Sequence, residues 1–587
     1  MSCTTILVGK DASYDGSTMI ARNDDSGAGH FTPKKMVVLP AREGDTEYTS
    51  VLSHVKVSLP NKAYRCTIMP NAVKGKGLWG ACGVNEKEVG MTATETITSN
   101  PRVLGADPLV EYQPADDTHP EIPGGIGEED LVILTLPYIS SAREGVRRLG
   151  ALLEKYGTYE MNGIAFSDKD EIWWLETIGG HHWMARRVPD DSYVVMPNQQ
   201  GIDEFDFEDA LGEQADFMCS GDLLEFVERY HLDLTQYFNS ELELEEDDED
   251  PDETGSDVID FRHGFDDDSD TDDEDDESDQ DISEFDPRAA FGSHDDADHV
   301  YNTPRAWFML RYFNPTDFVW DGPDADFKPE SDDLPWCLVP EKKITPEDVK
   351  YVLSSHFQGT PYDPYKSYGD KSLAGAYRSI GINRNDFLGF IQIRPYMPEG
   401  SRAIEWVAFA SNAFNAMIPL YPQVDRFPDY LSNTTGKVST DNFYWTSRLI
   451  AALSDAGFRK NQNHIERYQL LVQSRANRII NSADDELRVL EDPEMVRKVQ
   501  EKANAAVAEL ASRAASDTLR QVLDETSNLM KNQFAAQMPE PFRCRLGIPG
   551  NFCPYSIGQG RFTLPCPIRR CRRHLTFLAH CPYKKRH

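Results

Sequence analysis

The chain begins Met1-Ser2-Cys3-Thr4-Thr5-Ile6-Leu7-Val8-Gly9 and continues, after five residues, with Asp15-Gly16-Ser17-Thr18-Met19-Ile20-Ala21-Arg22-Asn23-Asp24-Asp25. Residues 4–8 and 18–21 are β-branched or apolar runs, and the Asp-Gly pair between them is a strong hairpin-turn signal. The pattern predicts an N-terminal hairpin. We expect its second strand to be followed by a loop, residues 22–25, that lies beside Cys3.

Cys3, Arg22 and the neighbouring carboxylates form a chemically reactive combination. Removal of Met1 and Ser2 would give Cys3 a free α-amine, and an α-amine with a pKa of about 7.7–8.0 can accept a proton near neutral pH. The thiol would then have a base within its own residue, and the Arg22 guanidinium would further favour the thiolate. This predicts an N-terminal-nucleophile amidohydrolase, although a lone cysteine near a terminus is more commonly a small buried hydrophobic residue.

The negative charge of the chain is concentrated in one segment. The 587 residues carry a formal net charge of −40, and residues 241–286, with 26 acidic residues and the single basic residue Arg262, contribute −25 of it. The remainder is only mildly acidic, which argues against nucleic acid as a partner of the folded body. Hydrophobic and aromatic contents of 40% and 10% are those of a globular protein.

The sequence predicts a cytoplasmic protein without a membrane partner. It shows neither the pattern of a signal peptide nor an apolar run of eighteen residues. Outside the last 47 residues the cysteines are widely spaced and form no CxxC pair, which suits reduced thiols. These cysteines are Cys3, Cys66, Cys82, Cys219 and Cys337.

The order of strand-like and helix-like segments predicts an α+β fold in two parts. We expect residues 1–240 and 287–430 to form the core, separated by a disordered acidic insertion at 241–286. Within the first part, residues 128–156 are predicted to be helical. A helical region is predicted at 431–540, with a fresh helix start at Asp492-Pro493. Residues 541–587 contain no acidic residue, ten Lys or Arg and five cysteines, and are predicted to be a disordered basic tail.

Several strings along the chain resemble the dipeptidase A family of N-terminal-nucleophile (Ntn) cysteine hydrolases, which is related to bile salt hydrolase, penicillin V acylase and secernin. The resemblance covers residues 3–235 and 288–536. It implies a four-layer αββα sandwich and a metal-independent thiol dipeptidase that needs no cofactor, takes dipeptides as substrates and associates into homo-oligomers. The strings are the two quoted above, Gly83-Val-Asn-Glu86, Thr94-Glu-Thr96, the segment 179–191 and Met196-Pro-Asn-Gln199.

The resemblance also implies the catalytic residues. Cys3 would be the nucleophile and its freed α-amine the base, with Arg22 beside the thiol and Asp25 holding the amine. Asn198 would donate a hydrogen bond to the oxyanion, an interaction typically worth about 3–4 kcal/mol. Arg305, in Pro304-Arg-Ala-Trp307, is the candidate for the second arginine of the related acylases.

Glu95 is a departure from the related acylases, which have an asparagine at this place. A carboxylate here could bind the free ammonium group of a dipeptide, which the substrates of an acylase lack. Two alternatives stay open: an amidohydrolase of the bile salt hydrolase or penicillin V acylase type, and a non-catalytic, secernin-like or acidic binding protein. A mature chain that starts at Cys3 would favour hydrolysis, and an intact N-terminus would favour binding. The sequence does not indicate which dipeptides are preferred.

Overall fold

The computed structural model describes residues 3–234, 285–293 and 295–531, except for the side chain of Thr94. The predicted acidic insertion, apart from its last two residues, and the predicted basic tail lie outside the described residues, so both stay predictions. Residues up to Leu523 belong to one unit, and residues 524–531 are the described part of a second.

Antiparallel strands make up the centre of the first unit. In chain order they are β1 (Thr4–Val8), β2 (Thr18–Asp25), β3 (Val37–Leu39), β4 (Arg42–Glu43), β5 (Thr46–Thr49), β6 (Lys56–Leu59), β7 (Lys62–Ala63), β8 (Cys66–Ile68), β9 (Cys82–Val84), β10 (Gly90–Thr96), β11 (Asn162–Ser167), β12 (Ile172–Ile178), β13 (His182–Arg187), β14 (Tyr193–Met196), β15 (Phe217–Cys219), β16 (Cys337–Leu338), β17 (Asn385–Ile393), β18 (Ala403–Phe409) and β19 (Ile418–Leu420).

Two large sheets lie face to face. The first has the order β16-β14-β1-β2-β17-β18-β19, and the second has the order β15-β13-β12-β11-β10-β9. The N-terminal hairpin therefore occupies the middle of the first sheet, where strands on both sides hold it. Residues 37–68 also form three two-stranded sheets, β3-β8, β4-β7 and β5-β6.

The predicted hairpin is confirmed, but its second strand is longer than expected. Thr5 pairs with Arg22 and Val8 with Met19, and Gly16 has the positive φ of 82° that such a turn requires. The prediction of a loop at residues 22–25 is wrong, because β2 runs on to Asp25. Pairing with β17 on its other edge satisfies the backbone of these polar residues and keeps them extended.

Helices are interspersed with the strands along the chain. They are α1 (Pro101–Ala106), α2 (Glu128–Thr135), α3 (Ala142–Tyr156), α4 (Phe207–Leu211), α5 (Leu223–Tyr230), α6 (Pro287–Phe291), α7 (Asp298–Tyr301), α8 (Thr303–Phe313), α9 (Pro346–Leu353), α10 (Asp429–Ser432), α11 (Phe443–Ala456), α12 (Phe458–Leu487) and α13 (Pro493–Ser527). None of the helices in the described part of the chain is both long and apolar enough to cross a bilayer.

One predicted helix is two, and one predicted helix start is confirmed. Instead of a continuous helix over 128–156, α2 ends before a short 3-10 turn that contains Pro137, which has no N–H to donate. α3 then starts afresh with Ser141 as its N-cap, accepting a hydrogen bond from the Glu144 amide. α13 begins at Pro493, as Asp492-Pro493 predicts.

Three apolar cores hold the two sheets and the helices together. Leu7 and Ile20 face Trp174 between the two sheets. Since alternate residues of a strand point to opposite faces, the side chains of Ile6 and Val8 pack on the other side, against α8 and α9. A third core lies between the second sheet and α2 and α3. Each sheet thus carries helices on its outer face, and the fold is α+β as predicted.

Glu405 on β18 is a buried carboxyl group between the sheets, and it provides a test of the packing. Its Oε1 accepts a hydrogen bond from Thr67 Oγ1 at 2.8 Å, and burial, opposed by this bond, raises its pKa from 4.5 to about 8. A raised folded-state pKa costs stability progressively as pH rises from the unfolded value to the folded one. The cost is about 1.4 kcal/mol per pH unit. The free energy of unfolding of Glu405→Gln, relative to that of the natural chain, should therefore increase by roughly 3 kcal/mol between pH 5 and pH 8.

Urea unfolding at pH 5, 6.5 and 8 measures this gain. Glu399→Gln, which changes an exposed carboxylate, is the matched control and should show no such trend. A difference between Glu405→Gln and the natural chain that is the same at all three pH values would contradict the expected burial cost.

Candidate active site

The Cys3 thiol lies in the interface between the two sheets. Cys3 directly precedes β1 and is completely buried. Its Sγ accepts a hydrogen bond from Arg22 Nη2 at 3.2 Å. Because Thr5 pairs with Arg22 in the hairpin, the long guanidinium side chain reaches back past Thr5 to the sulfur.

The guanidinium of Arg22 donates hydrogen bonds to five acceptors, of which Cys3 Sγ is one. Nη2 also bonds Glu128 Oε1 at 2.9 Å and Asp24 Oδ1 at 3.3 Å, and Nη1 bonds the carbonyl oxygens of Ala81, at 3.2 Å, and Ala93. Ala93 belongs to β10 of the second sheet, so the guanidinium bridges the two sheets. A buried cation needs such pairing, because desolvation without it costs several kcal/mol. The orientation of Arg22 toward the thiol is therefore fixed.

Asp24 lies on the same face of β2 as Arg22, as alternation requires for positions two apart. Its Oδ2 forms an ion pair with Lys34 Nζ at 2.8 Å, and both side chains are buried. Burial alone would raise the pKa of Asp24, but Lys34 and Arg22 hold it below its ordinary value. Asp24 is thus a fixed anion beside the thiol and the guanidinium.

The sulfur of Cys3 and one oxygen each of Asp24 and Glu128 lie within 4.8 Å of one another. Three such groups could hold a metal ion. Here the Arg22 guanidinium bonds to all three, so a cation already neutralises them. We assign no metal role to this cluster.

Asn198 and Arg305 form a second group of contacts, which includes the backbone of Cys3. Asn198 Oδ1 accepts a hydrogen bond from Arg305 Nη2 at 2.7 Å. Asn198 Nδ2 donates to Glu95 Oε1 at 2.9 Å and to the Thr96 carbonyl at 2.8 Å. Arg305 Nη1, in turn, donates to the backbone carbonyl of Cys3. The geometry ties the predicted amide donor to the predicted nucleophile through Arg305.

Glu95 sits beside a β-bulge, where the pairing of β10 with β11 shifts by one residue between Ala93 and Glu95. Bulges re-aim side chains and are common next to active sites. Glu95 Oε2 accepts a hydrogen bond from Thr5 Oγ1 at 2.8 Å, while Oε1 accepts the Asn198 amide. Burial raises the pKa of Glu95, and Arg305 opposes that rise.

Asp25 lies apart from the thiol group of residues. Three positions separate it from Arg22 on β2, so it points to the opposite face of the strand. Its carboxylate pairs with Arg378 and accepts a hydrogen bond from Asn385 Nδ2 at 2.9 Å. Arg378 and Arg305 both lie over the ring of Tyr301, at 5.2 and 5.3 Å from its centroid. The structure therefore groups Asp25 with the arginines rather than with the Cys3 sulfur.

The electrostatics of Cys3 are a balance between burial and one cation. Burial raises the pKa of the thiol and Arg22 opposes this, while the carboxylates Glu95, Glu128 and Asp24 add to the rise. Burial also lowers the pKa of Arg305, and the adjacent charge of Arg378 lowers it further. Among the charged groups of the described residues that act most strongly on the thiol, Arg22 is the one that favours the thiolate, so chemistry at the sulfur depends on it.

A family model described as Peptidase family C69 matches residues 2–470. The chain belongs to this family. The resemblance found in the sequence is confirmed, and the C69 peptidase is a peptide hydrolase.

Relatives of the C69 peptidase match it over most of their length. The protein named "Dipeptidase" of Bifidobacterium longum (strain NCC 2705) is 54% identical over 487 residues, 83% of either chain. "Probable dipeptidase A" of Streptococcus pyogenes serotype M18 is 45% identical over 534 residues, 91% of this chain and 98% of its own. "Dipeptidase A" of Lactobacillus helveticus is 38% identical over 531 residues, 90% of this chain and 97% of its own.

Two residues that lie beside the thiol, Asp24 and Glu128, were not assigned from the sequence. Asp24 would have followed from a longer β2, since it alternates onto the face of Arg22. Glu128 starts α2, more than a hundred positions from Cys3, and no local motif marks it. Only the packing of α2 against the sheets places its carboxylate beside the thiol.

Proposed function

We propose that this peptidase is a dipeptidase that uses Cys3 as an N-terminal nucleophile. The observation that carries the proposal is the contact between Cys3 Sγ and Arg22 Nη2 at 3.2 Å, in a buried site that also contains Asn198 and Arg305. The names of the relatives supply the substrate class. Helices on the outer face of each of two stacked sheets support the four-layer Ntn sandwich as the architecture.

The proposed cycle begins with attack of the Cys3 thiolate on the scissile carbonyl carbon of the dipeptide. Asn198 Nδ2 and a backbone amide hold the oxyanion, for which Asn198 exchanges one of its present acceptors, Glu95 or the Thr96 carbonyl. The α-ammonium of Cys3 gives its proton to the departing amine and leaves a thioester. Water, deprotonated by the same amine, then releases the acyl part and restores the thiol.

The other residues have supporting roles in this proposal. Arg22 favours the thiolate against the effect of burial. Arg305 binds the Cys3 carbonyl and Asn198 together and so fixes the distance between nucleophile and oxyanion donor. Asp25 holds the α-amine, which requires the freed terminus of Cys3 to approach the group of Asp25 and Arg378.

The mechanism requires that Met1 and Ser2 be removed, because an acylated nitrogen is an amide and cannot act as a base. Removal of Met1 alone would expose Ser2, so a second cut before Cys3 is needed. We expect purified, active enzyme to be lighter than the encoded chain by one methionine and one serine residue. Intact-mass measurement together with N-terminal sequencing checks this.

The same preparation should hydrolyse dipeptides, with penicillin V and a conjugated bile salt as comparison substrates. Full activity in a chain whose N-terminus is Met1 or Ser2 would exclude the mechanism. Cleavage of the comparison substrates in preference to dipeptides would retain the nucleophile but assign the chain to the acylase type.

A further inference from the structure

Glu128 presents a buried carboxylate beside the thiol. It is the first residue of α2, and its side chain is 2% exposed. Oε1 accepts a hydrogen bond from Arg22 Nη2 at 2.9 Å. One carboxylate oxygen lies within 4.8 Å of Cys3 Sγ. This negative group therefore sits within reach of whatever is bound at the sulfur.

The second oxygen of this carboxylate, Oε2, is buried and has no hydrogen-bond partner in the described part of the chain. Buried polar atoms are nearly always paired, so an exception calls for an explanation. The hydroxyl of Tyr159 is a second buried polar atom without a partner among the described residues. It packs against the same end of α2, since a Cβ at Gly127 would lie 2.3 Å from it. Glu128 Oε2 and the Tyr159 hydroxyl are therefore two buried polar groups near the N-terminal end of α2 that a polar ligand can bind.

The distances within a dipeptide are compatible with an ammonium group near this carboxylate. The α-nitrogen of its first residue is two bonds from the scissile carbonyl carbon, about 2.5 Å away. The attacking sulfur approaches that carbon to about 3–3.5 Å before reaction. An ammonium group in this position lies within hydrogen-bonding reach of a carboxylate that is less than 5 Å from the sulfur.

Other carboxylates near the thiol are already occupied. Both oxygens of Glu95 accept hydrogen bonds, from Asn198 and Thr5. Asp24 Oδ1 bonds Arg22, and Asp24 Oδ2, which also lacks a hydrogen bond, is neutralised by the ion pair with Lys34 at 2.8 Å. Glu128 Oε2 has neither a hydrogen bond nor an ion-pair partner among the described residues, which distinguishes it from the oxygens of Glu95 and Asp24.

We propose that Glu128 Oε2 binds the free α-ammonium group of the N-terminal residue of the substrate, so that this residue restricts the peptidase to peptides with an unblocked amino terminus. This inference rests on the proposed function, because it places the scissile bond at Cys3. It assigns to Glu128 the recognition that the sequence comparison with the acylases gave to Glu95.

The first test uses the natural enzyme and two substrates of the same shape. One is a dipeptide, and the other is its des-amino analogue, in which hydrogen replaces the α-amino group. We expect kcat/KM for the dipeptide to exceed that for the analogue by about 10- to 100-fold, the range of a charge-assisted hydrogen bond. Equal values would overturn the proposal without any variant.

The second test locates the acceptor. Glu128→Gln should reduce the preference for the dipeptide by about 10- to 100-fold, through a higher KM with kcat nearly unchanged. Glu95→Gln is the comparison variant: it can change turnover through Asn198 but should leave the preference for the dipeptide over the analogue intact. Loss of preference in Glu95→Gln alone would overturn the assignment and return the role to Glu95.

A merely structural role for Glu128 has a different signature. If Glu128 only orients Arg22, then Glu128→Gln should lower kcat equally for both substrates and move the pH profile of Cys3 alkylation. That result would also overturn the proposal. Failure of the natural enzyme to hydrolyse any dipeptide would instead contradict the proposed function, and so the two failures are distinguishable.

Discussion

Replacement of Cys3 by alanine should lower dipeptide turnover on the order of 10⁴-fold or more, because the covalent route through the thioester is lost. The buried site would keep Asn198, Arg305 and the sheet contacts, so binding should survive. Steady-state kinetics at a single pH, with the mature N-terminus verified by mass, measures the loss. The substitution removes one buried sulfur atom and should leave the fold intact.

Cys219→Ala is the matched control, since Cys219 is also a buried free cysteine but lies on β15 at the edge of the second sheet. It should retain full activity. An active Cys3→Ala enzyme, or an equal loss in both variants, would contradict the assignment of the nucleophile. Circular dichroism of the two variants verifies that each is folded.

The hairpin that carries Cys3 could be predicted from the sequence because its signals are local. A turn dipeptide and two apolar runs lie within 25 residues. The extension of β2 to Asp25 could not be predicted, because it depends on pairing with β17, about 360 positions away. Polar residues such as Asn23 and Asp24 are otherwise typical of turns.

Some residues of the site could likewise be predicted from the sequence, and others could not. Cys3 and Arg22 follow from short-range pattern and chemistry, and Asn198 and Arg305 were assigned only through the family resemblance. Glu128 and Arg378 have no sequence signal, since each reaches the site through the packing of a helix or loop from elsewhere in the chain. Long-range packing thus supplies the charges that surround a locally encoded nucleophile.

Arg22→Gln should cause two separable losses. The buried carboxylates of Asp24 and Glu128 would lose their shared partner, which costs about 3–5 kcal/mol of unfolding free energy. The thiol would also lose the cation that opposes the effect of burial on its pKa, so the pKa should rise further and the thiolate fraction at neutral pH should fall. Turnover at pH 7 should drop on the order of 100-fold or more, since each pKa unit costs a factor of ten in thiolate.

Arg394→Gln separates the two losses. Arg394 also forms a buried ion pair, with Asp484, in which Nη2 lies 3.1 Å from Oδ1. This pair is far from the thiol in sequence and lies between β17 and α12. Its replacement should cost similar stability but leave the pH profile of Cys3 alkylation unchanged. Arg22→Lys, which keeps the charge but not the fork of donors, should fall between the natural chain and Arg22→Gln. Identical alkylation profiles for Arg22→Gln and Arg394→Gln would mean that Arg22 holds the sheets together without tuning the thiol.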